Sequence, residues 1–156
     1  MRPLLPAILS LLALASPALA QNSAPADFSG TWVLNTSKST LAKDSKIKAE
    51  TLWVENKKGA IVFHFKTDGK KSTQSYTPDG VSRKTQDLPG VLVVSKAMWQ
   101  GSTLVIVSVL RFKIPNGVTS YPGMRPIVDK WSLARDGQTL SWDANNDGEF
   151  RVYDKQ

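Results

Sequence analysis

The chain has 156 residues, no cysteine, 41% hydrophobic residues and a formal net charge of +7. That length suits a single domain with one core, and the lack of cysteine excludes both a disulfide-stapled scaffold and a lipid-anchored lipoprotein. The positive surplus is concentrated, because nine lysines between Lys38 and Lys71 meet only four acidic residues. Such a face suits an anionic surface, or it keeps exposed strand edges from pairing.

The chain opens with the marks of an export signal. Arg2 gives a basic start, an apolar run covers 4–15, and Ala18-Leu19-Ala20 forms a small-x-small cleavage site. The run is shorter than the ~20 residues that cross a bilayer. Residues 1–20 are therefore read as a signal peptide and the protein as periplasmic or secreted, where nucleic acid is not an expected partner. A leader follows over 21–27, and a single β domain over 28–156.

Downstream, β-branched and aromatic runs alternate with turn residues at short intervals. They predict ten strands over 28–34, 50–56, 60–67, 71–77, 81–86, 91–98, 103–112, 127–134, 139–143 and 149–154. Asp68-Gly69, Asp79-Gly80, Asp136-Gly137 and Asp147-Gly148 supply the positive φ of tight hairpins, so consecutive strands are expected to pair antiparallel. A meander of this length hides its two edges by closing, which makes the fold class all-β, an antiparallel up-and-down barrel. A two-sheet sandwich is the alternative.

Side-chain alternation sorts the faces. Ile61, Phe63 and Phe65 point one way, and Val62, His64 and Lys66 the other. The hairpin from Val91 to Phe112 is apolar on both faces, so its outside calls for a cover: the segment 35–47, the loop from Lys113 to Pro126, or a homodimer or other protein partner. That Pro- and Gly-punctuated loop, carrying Val118, Tyr121, Met124 and Arg125, is a candidate portal or lid over a barrel mouth, with an ordered strap packed on the outer wall as the default reading.

Phe28-Ser29-Gly30-Thr31-Trp32 opens the first strand, and its Gly-x-Trp resembles the signature of the lipocalin and fatty-acid-binding (calycin) superfamily. The resemblance implies that Gly30 lets the strand enter tightly, that Trp32 plugs the barrel floor, and that Arg151 on the last strand crosses the indole. Ten strands match the fatty-acid-binding proteins better than the lipocalins, although 35–48 has room for barely one helix where that family carries two. As a whole the chain is similar to secreted bacterial lipocalin-like domains of unassigned role.

The interior of such a barrel is expected to hold a small hydrophobic or amphipathic molecule. The candidate ligand-binding residues are His64, the single histidine, with Arg111, Tyr121 and Met124. The alternative is a non-enzymatic envelope interaction domain with a filled barrel. No nucleophile elbow, zinc helix motif or phosphate loop is spelled out, so no catalytic residue, enzyme activity or cofactor is expected. Asp143, Asn145 and Asp147 fit the first positions of a calcium loop, but both flanks read as strands, which leaves an ordinary turn as the default and calcium as a weak candidate.

Overall fold

The computed structural model describes residues 24–156, except 121 and 145–147. The proposed signal peptide lies outside the described residues. Eleven strands follow one another: β1 (Gly30–Leu34), β2 (Glu50–Lys57), β3 (Ala60–Thr67), β4 (Lys70–Tyr76), β5 (Arg83–Leu88), β6 (Val91–Gln100), β7 (Thr103–Ile114), β8 (Gly117–Thr119), β9 (Ile127–Leu133), β10 (Thr139–Ala144) and β11 (Glu149–Lys155). There is no helix among the described residues.

All pairings are antiparallel, in the order β4-β3-β2-β1-β11-β10-β9-β7-β6-β5. The decisive closure is β1 on β11, with Trp32 opposite Lys155 and Leu34 opposite Tyr153. First and last strands zip together, as the barrel expectation requires. β8 is the addition: it folds back on the end of β7 within the stretch read as the Lys113 to Pro126 loop, pairing Lys113 with Val118.

Turn chemistry explains most of the ladder. Lys58-Gly59 and Asp68-Gly69 each place two consecutive residues at positive φ, the geometry that matches the twist of a two-residue hairpin. The Asp68 carboxylate also accepts hydrogen bonds from the amides of Ala49, at 2.9 Å, and Lys48, tying the incoming chain to the turn.

Asp79-Gly80 behaves differently. The expected pairing of the strands on either side of it does not form, and β4 and β5 end the sheet as a seam. The Asp79 carboxylate is engaged by Arg83, at 2.6 and 2.7 Å, and by the amide of Val81. Gly80 donates to the carbonyl of Ala97 on β6 at 2.9 Å, and Asp79 bridges Met98. These contacts dock the connection onto β6 and leave β4 without a partner along its free edge.

The segment before β2 continues alongside β11 beyond the end of β1, in the plane of the sheet. Thr40 bridges Phe150, Ser39 caps the Val152 amide, and Asn35 and Lys38 hold Asp154 at 2.6 and 2.9 Å. It therefore extends the pairing of β11 and is not placed over the apolar hairpin. On the hairpin's outer face Val105 is buried between its cross-strand neighbours Met98 and Lys130.

The core divides along the barrel axis. Trp32, Phe28, Leu52, Val54, Phe63, Leu104, Leu140 and Tyr153 are fully buried and fill the half where β1 enters. Trp32 Nε1 donates to the Phe28 carbonyl at 2.9 Å, satisfying the indole in an otherwise apolar floor. The cation above its ring is Lys155, at 5.3 Å; Arg151 lies over Trp142 instead, at 4.5 Å. The expected crossing of Trp32 by Arg151 is thus made by Lys155 instead, four positions later on the same face of β11 and directly opposite Trp32, because Arg151 lies further from the floor. Gly30 adopts φ +133°, and a Cβ there would come within 3.3 Å of Lys155.

Candidate functional site

The other half of the barrel is not filled. Between the packed floor and the end bearing the β3–β4 and β5–β6 turns lies a cavity of about 500 Å³, within the roughly 300–1,000 Å³ of small-molecule sites. Its walls mix apolar and aromatic groups (Ile47, Phe65, Tyr76, Leu88, Val93, Ile106, Leu110, Ile127, Trp131, Trp142) with Glu50, Thr67, Ser72, Gln74, Gln86, Ser108, Asp129 and Arg151.

Strand parity puts them there. On β2, Glu50 shares its face with Leu52 and Val54, and on β11 Glu149 and Arg151 share theirs with Tyr153. The result is a buried polar clamp on the cavity wall. Arg151 Nη1 donates to Glu50 Oε1 at 2.9 Å and Nε to Glu149 Oε1 at 2.7 Å. Tyr153 donates to the same Glu50 oxygen at 2.6 Å, and Thr67 donates to the other. Side-chain exposure is 12% for Arg151 and 3% for Glu50, so each charge relies on its partners and not on water.

Electrostatics follow from that geometry. Burial works against the Arg151 charge, but the Glu149 hydrogen bond and the field of Glu50 outweigh it and hold the guanidinium pKa above its ordinary value. Burial, then the Glu50 charge, pushes the Tyr153 hydroxyl well above the usual phenol range. Tyr76 is pushed up to about 12 by burial and the field of Asp129. Asp129 accepts a hydrogen bond from Trp142 Nε1 at 3.0 Å, and Trp142 stacks on Trp131 with centroids 5.8 Å apart. A second polar thread leaves the cavity towards the seam: the hydroxyl oxygens of Ser108 and Ser95 are 2.8 Å apart, and those of Ser95 and Thr85 2.7 Å.

Of the candidate ligand-binding residues, His64, Arg111 and Met124 do not line this cavity. His64 is on the outer face, its ring stacked on Trp53 at 4.7 Å, Nδ1 at 3.1 Å from Thr73 Oγ1 and Nε2 at 3.2 Å from Glu55 Oε1. The order hydroxyl, imidazole, carboxylate is that of a proton relay, but none of the three groups lines the cavity described above. Arg111 and Met124 are exposed. Parity again explains Arg111, which alternates with the inward Leu110. Tyr121, Asn145 and Asp147 lie outside the described residues, and Asp143 is a β10 residue opposite Lys130 and Phe150.

The groups that do converge, Glu50, Asp129, Trp142 and Tyr153, were legible in principle. A glutamate on the same parity as Leu52 and Val54, and an aspartate on the same parity as Trp131, are polar residues on a dry face.

No family model and no curated protein sequence matches the chain. Among solved structures it is similar to a protein titled "REP1-NXSQ fatty acid transporter", at 12% identity and a TM-score of 0.58, over 83% of this chain and 96% of that one. At that identity the likeness is one of fold, and the barrel is the architecture the two chains share.

Proposed function

We propose that this is an exported carrier that holds a small apolar or amphipathic molecule in the unfilled half of its barrel. One observation carries the reading: a barrel packed to full burial at one end keeps a cavity of about 500 Å³ at the other, with a few polar groups set among its apolar and aromatic walls. Apolar walls supply affinity through released water, and a few fixed polar groups set orientation. The shared fold with a protein titled a fatty acid transporter supports carriage over catalysis, and the signal-like residues 1–20 support export.

The rim fits a portal. Leu88, Ile114, Val118 and Met124 are large apolar residues between 43% and 47% exposed, on the β5–β6 turn and the β7–β8 hairpin with the loop that follows. They stand together on the β5–β8 side of the open end, where an entering apolar molecule would meet them.

Native mass spectrometry of protein purified from its own host tests the proposal, with a co-purified small molecule as the expected result. Displacement of an environment-sensitive apolar dye supplies a second readout, and Val93→Trp, which inserts an indole into the cavity, is expected to abolish it. A dye that binds the variant as well as the parent chain refutes the carrier reading.

A further inference from the structure

The cation inside the cavity and the cations beside its mouth are in opposite states. Inside, Arg151 is engaged: its Nη1 and Nε donate to Glu50 and Glu149, and its flat face covers Trp142. Glu50 in turn accepts from Tyr153 and Thr67. An anionic head group reaching for the guanidinium would have to displace a glutamate and leave it buried without its partner, a strongly unfavourable exchange.

Beside the mouth the cations are unpaired. A second hollow of about 300 Å³ lies by the β3–β4 turn, and Ile47, Thr67 and Ser72 line both it and the main cavity, so the two spaces adjoin. The rest of its lining is Lys46, Lys70, Lys71 and Asp68. All three lysines are exposed, and among the described residues none of their ammonium groups has an ion-pair or hydrogen-bond partner. The Asp68 carboxylate is turned to the amides of Lys48 and Ala49. Three lysines against one aspartate leave a surplus of two positive charges. Across the seam the pattern differs, because Lys84 and Lys113 both hold Asp87.

The local sequence sets this up. Lys70 follows the Asp68-Gly69 turn directly opposite Thr67, and cross-strand partners share a face, so Lys70 stands at the rim on the parity that faces the cavity. Lys46 immediately precedes Ile47, which lines both spaces. An elongated amphiphile with its tail in the cavity leaves its head here, among lysines and water. A phosphate monoester carries about −1.5 to −2 charge at pH 7 and three acceptor oxygens, which matches the local surplus better than a carboxylate with its single charge.

Resting on the carrier reading above, we propose that the ligand is a single-tailed amphiphile with a phosphate monoester head, bound tail first, its phosphate held at the mouth by Lys46, Lys70 and Lys71 and not by Arg151. Part of the lysine surplus between Lys38 and Lys71 then belongs to the site.

Four probes with the same tail, decyl phosphate, decanoate, decanol and decyltrimethylammonium, each below its micelle or solubility limit, compete with an apolar dye on the full chain at neutral pH and low salt. Decyl phosphate is expected to bind at least about fivefold more tightly than decanol, with decanoate between them and the ammonium weakest. In about 0.5 M sodium chloride that preference should fall below about twofold, since exposed charges are screened there; a buried head group would keep it. Lys46→Gln combined with Lys70→Gln should remove most of the preference at low salt. Lys57→Gln combined with Arg135→Gln takes the same charge from exposed positions at the floor end and should leave the ratio intact.

A ratio unmoved by the Lys46 and Lys70 exchanges, a ratio lowered as much by the floor-end pair, or a preference that survives high salt overturns the inference. Decanol or decanoate binding as tightly as decyl phosphate leaves the carrier reading standing and refutes the phosphate head. If no probe displaces the dye, the carrier reading itself fails and takes this one with it.

Discussion

The two ends of this barrel solve opposite problems with the same alternating strands. At the floor, inward positions carry Trp32, Phe28, Phe63, Leu104 and Leu140, all fully buried, and close packing leaves no room for a guest. At the mouth, the same faces of the same strands carry Glu50, Thr67, Ser72, Gln74, Asp129 and Arg151 around open space. The comparison teaches that the floor holds the fold and the mouth is released from that duty. Substitutions at the two ends should then separate stability from binding.

The largest effect is expected at the floor. Trp32→Ala removes a fully buried indole and should cost about 3–5 kcal/mol, read as a lower urea midpoint. A loss under about 1 kcal/mol would show that the floor tolerates a void and would erase the contrast. Next comes the clamp, which belongs to the mouth by position and to the floor by energetics. Glu50→Ala strips Arg151 and Tyr153 of a shared acceptor and should destabilise by about 3 kcal/mol, with Glu50→Gln milder. Equal effects of the two substitutions would mean that the charge carries the whole contribution and a neutral acceptor none of it.

The mouth wall should be far more tolerant. Leu110→Ala, beside the open space, is expected to cost about 1 kcal/mol while weakening dye binding, since part of the lost packing already faced the cavity. Full core-like destabilisation there would show that the space closes in solution.

Titration gives a smaller, two-ended signal. Tyr76 has its folded pKa raised from 10.0 to about 12, so the folded state holds its proton where the unfolded chain has released it. The associated stability is fully present below pH 10 and is lost as pH rises towards 12. Absorbance near 295 nm should therefore show Tyr76 and Tyr153 un-ionised in the folded protein at pH 11. At the acid end, Asp79 is lowered from 3.8 to about 2, chiefly by its bond from Arg83. Its contribution is present above pH 4 and fades as pH falls through 2, a slight effect for so exposed a pair. The smallest change is expected from His64→Ala on the outer wall: stability within about 0.5 kcal/mol and unchanged dye binding. Loss of binding in that variant would move the site out of the cavity.

Strand spacing and Asp-Gly turns made the barrel readable, because both are local signals that tertiary packing has no reason to override. The seam was not readable. Asp79-Gly80 has the composition of a hairpin turn, and only the long-range contacts of Asp79 and Gly80 with β6 redirect it. β8 was hidden for a related reason: three residues pairing with the far end of β7 leave no periodicity to detect. For the site, His64 and Arg111 drew attention as rare or charged residues, yet each sits at outward parity. The informative signal was quieter. Glu50 and Asp129 stand where alternation demands an apolar residue, and an ionisable group there must find partners contributed by strands distant in sequence, which no local pattern names.

Opening the wall between β4 and β5 has a cost outside the barrel itself. Two strand margins with unused amide and carbonyl groups are the starting point for sheets that grow from molecule to molecule into insoluble assemblies. Lys70 and Lys71 on one margin and Arg83 and Lys84 on the other stand exposed beside that gap, so a second molecule arriving edge-on meets like charge before it meets backbone. Part of the chain's basic character thereby acts as protection against fibre formation, and exchanging these four cations for neutral residues would be felt first in solubility.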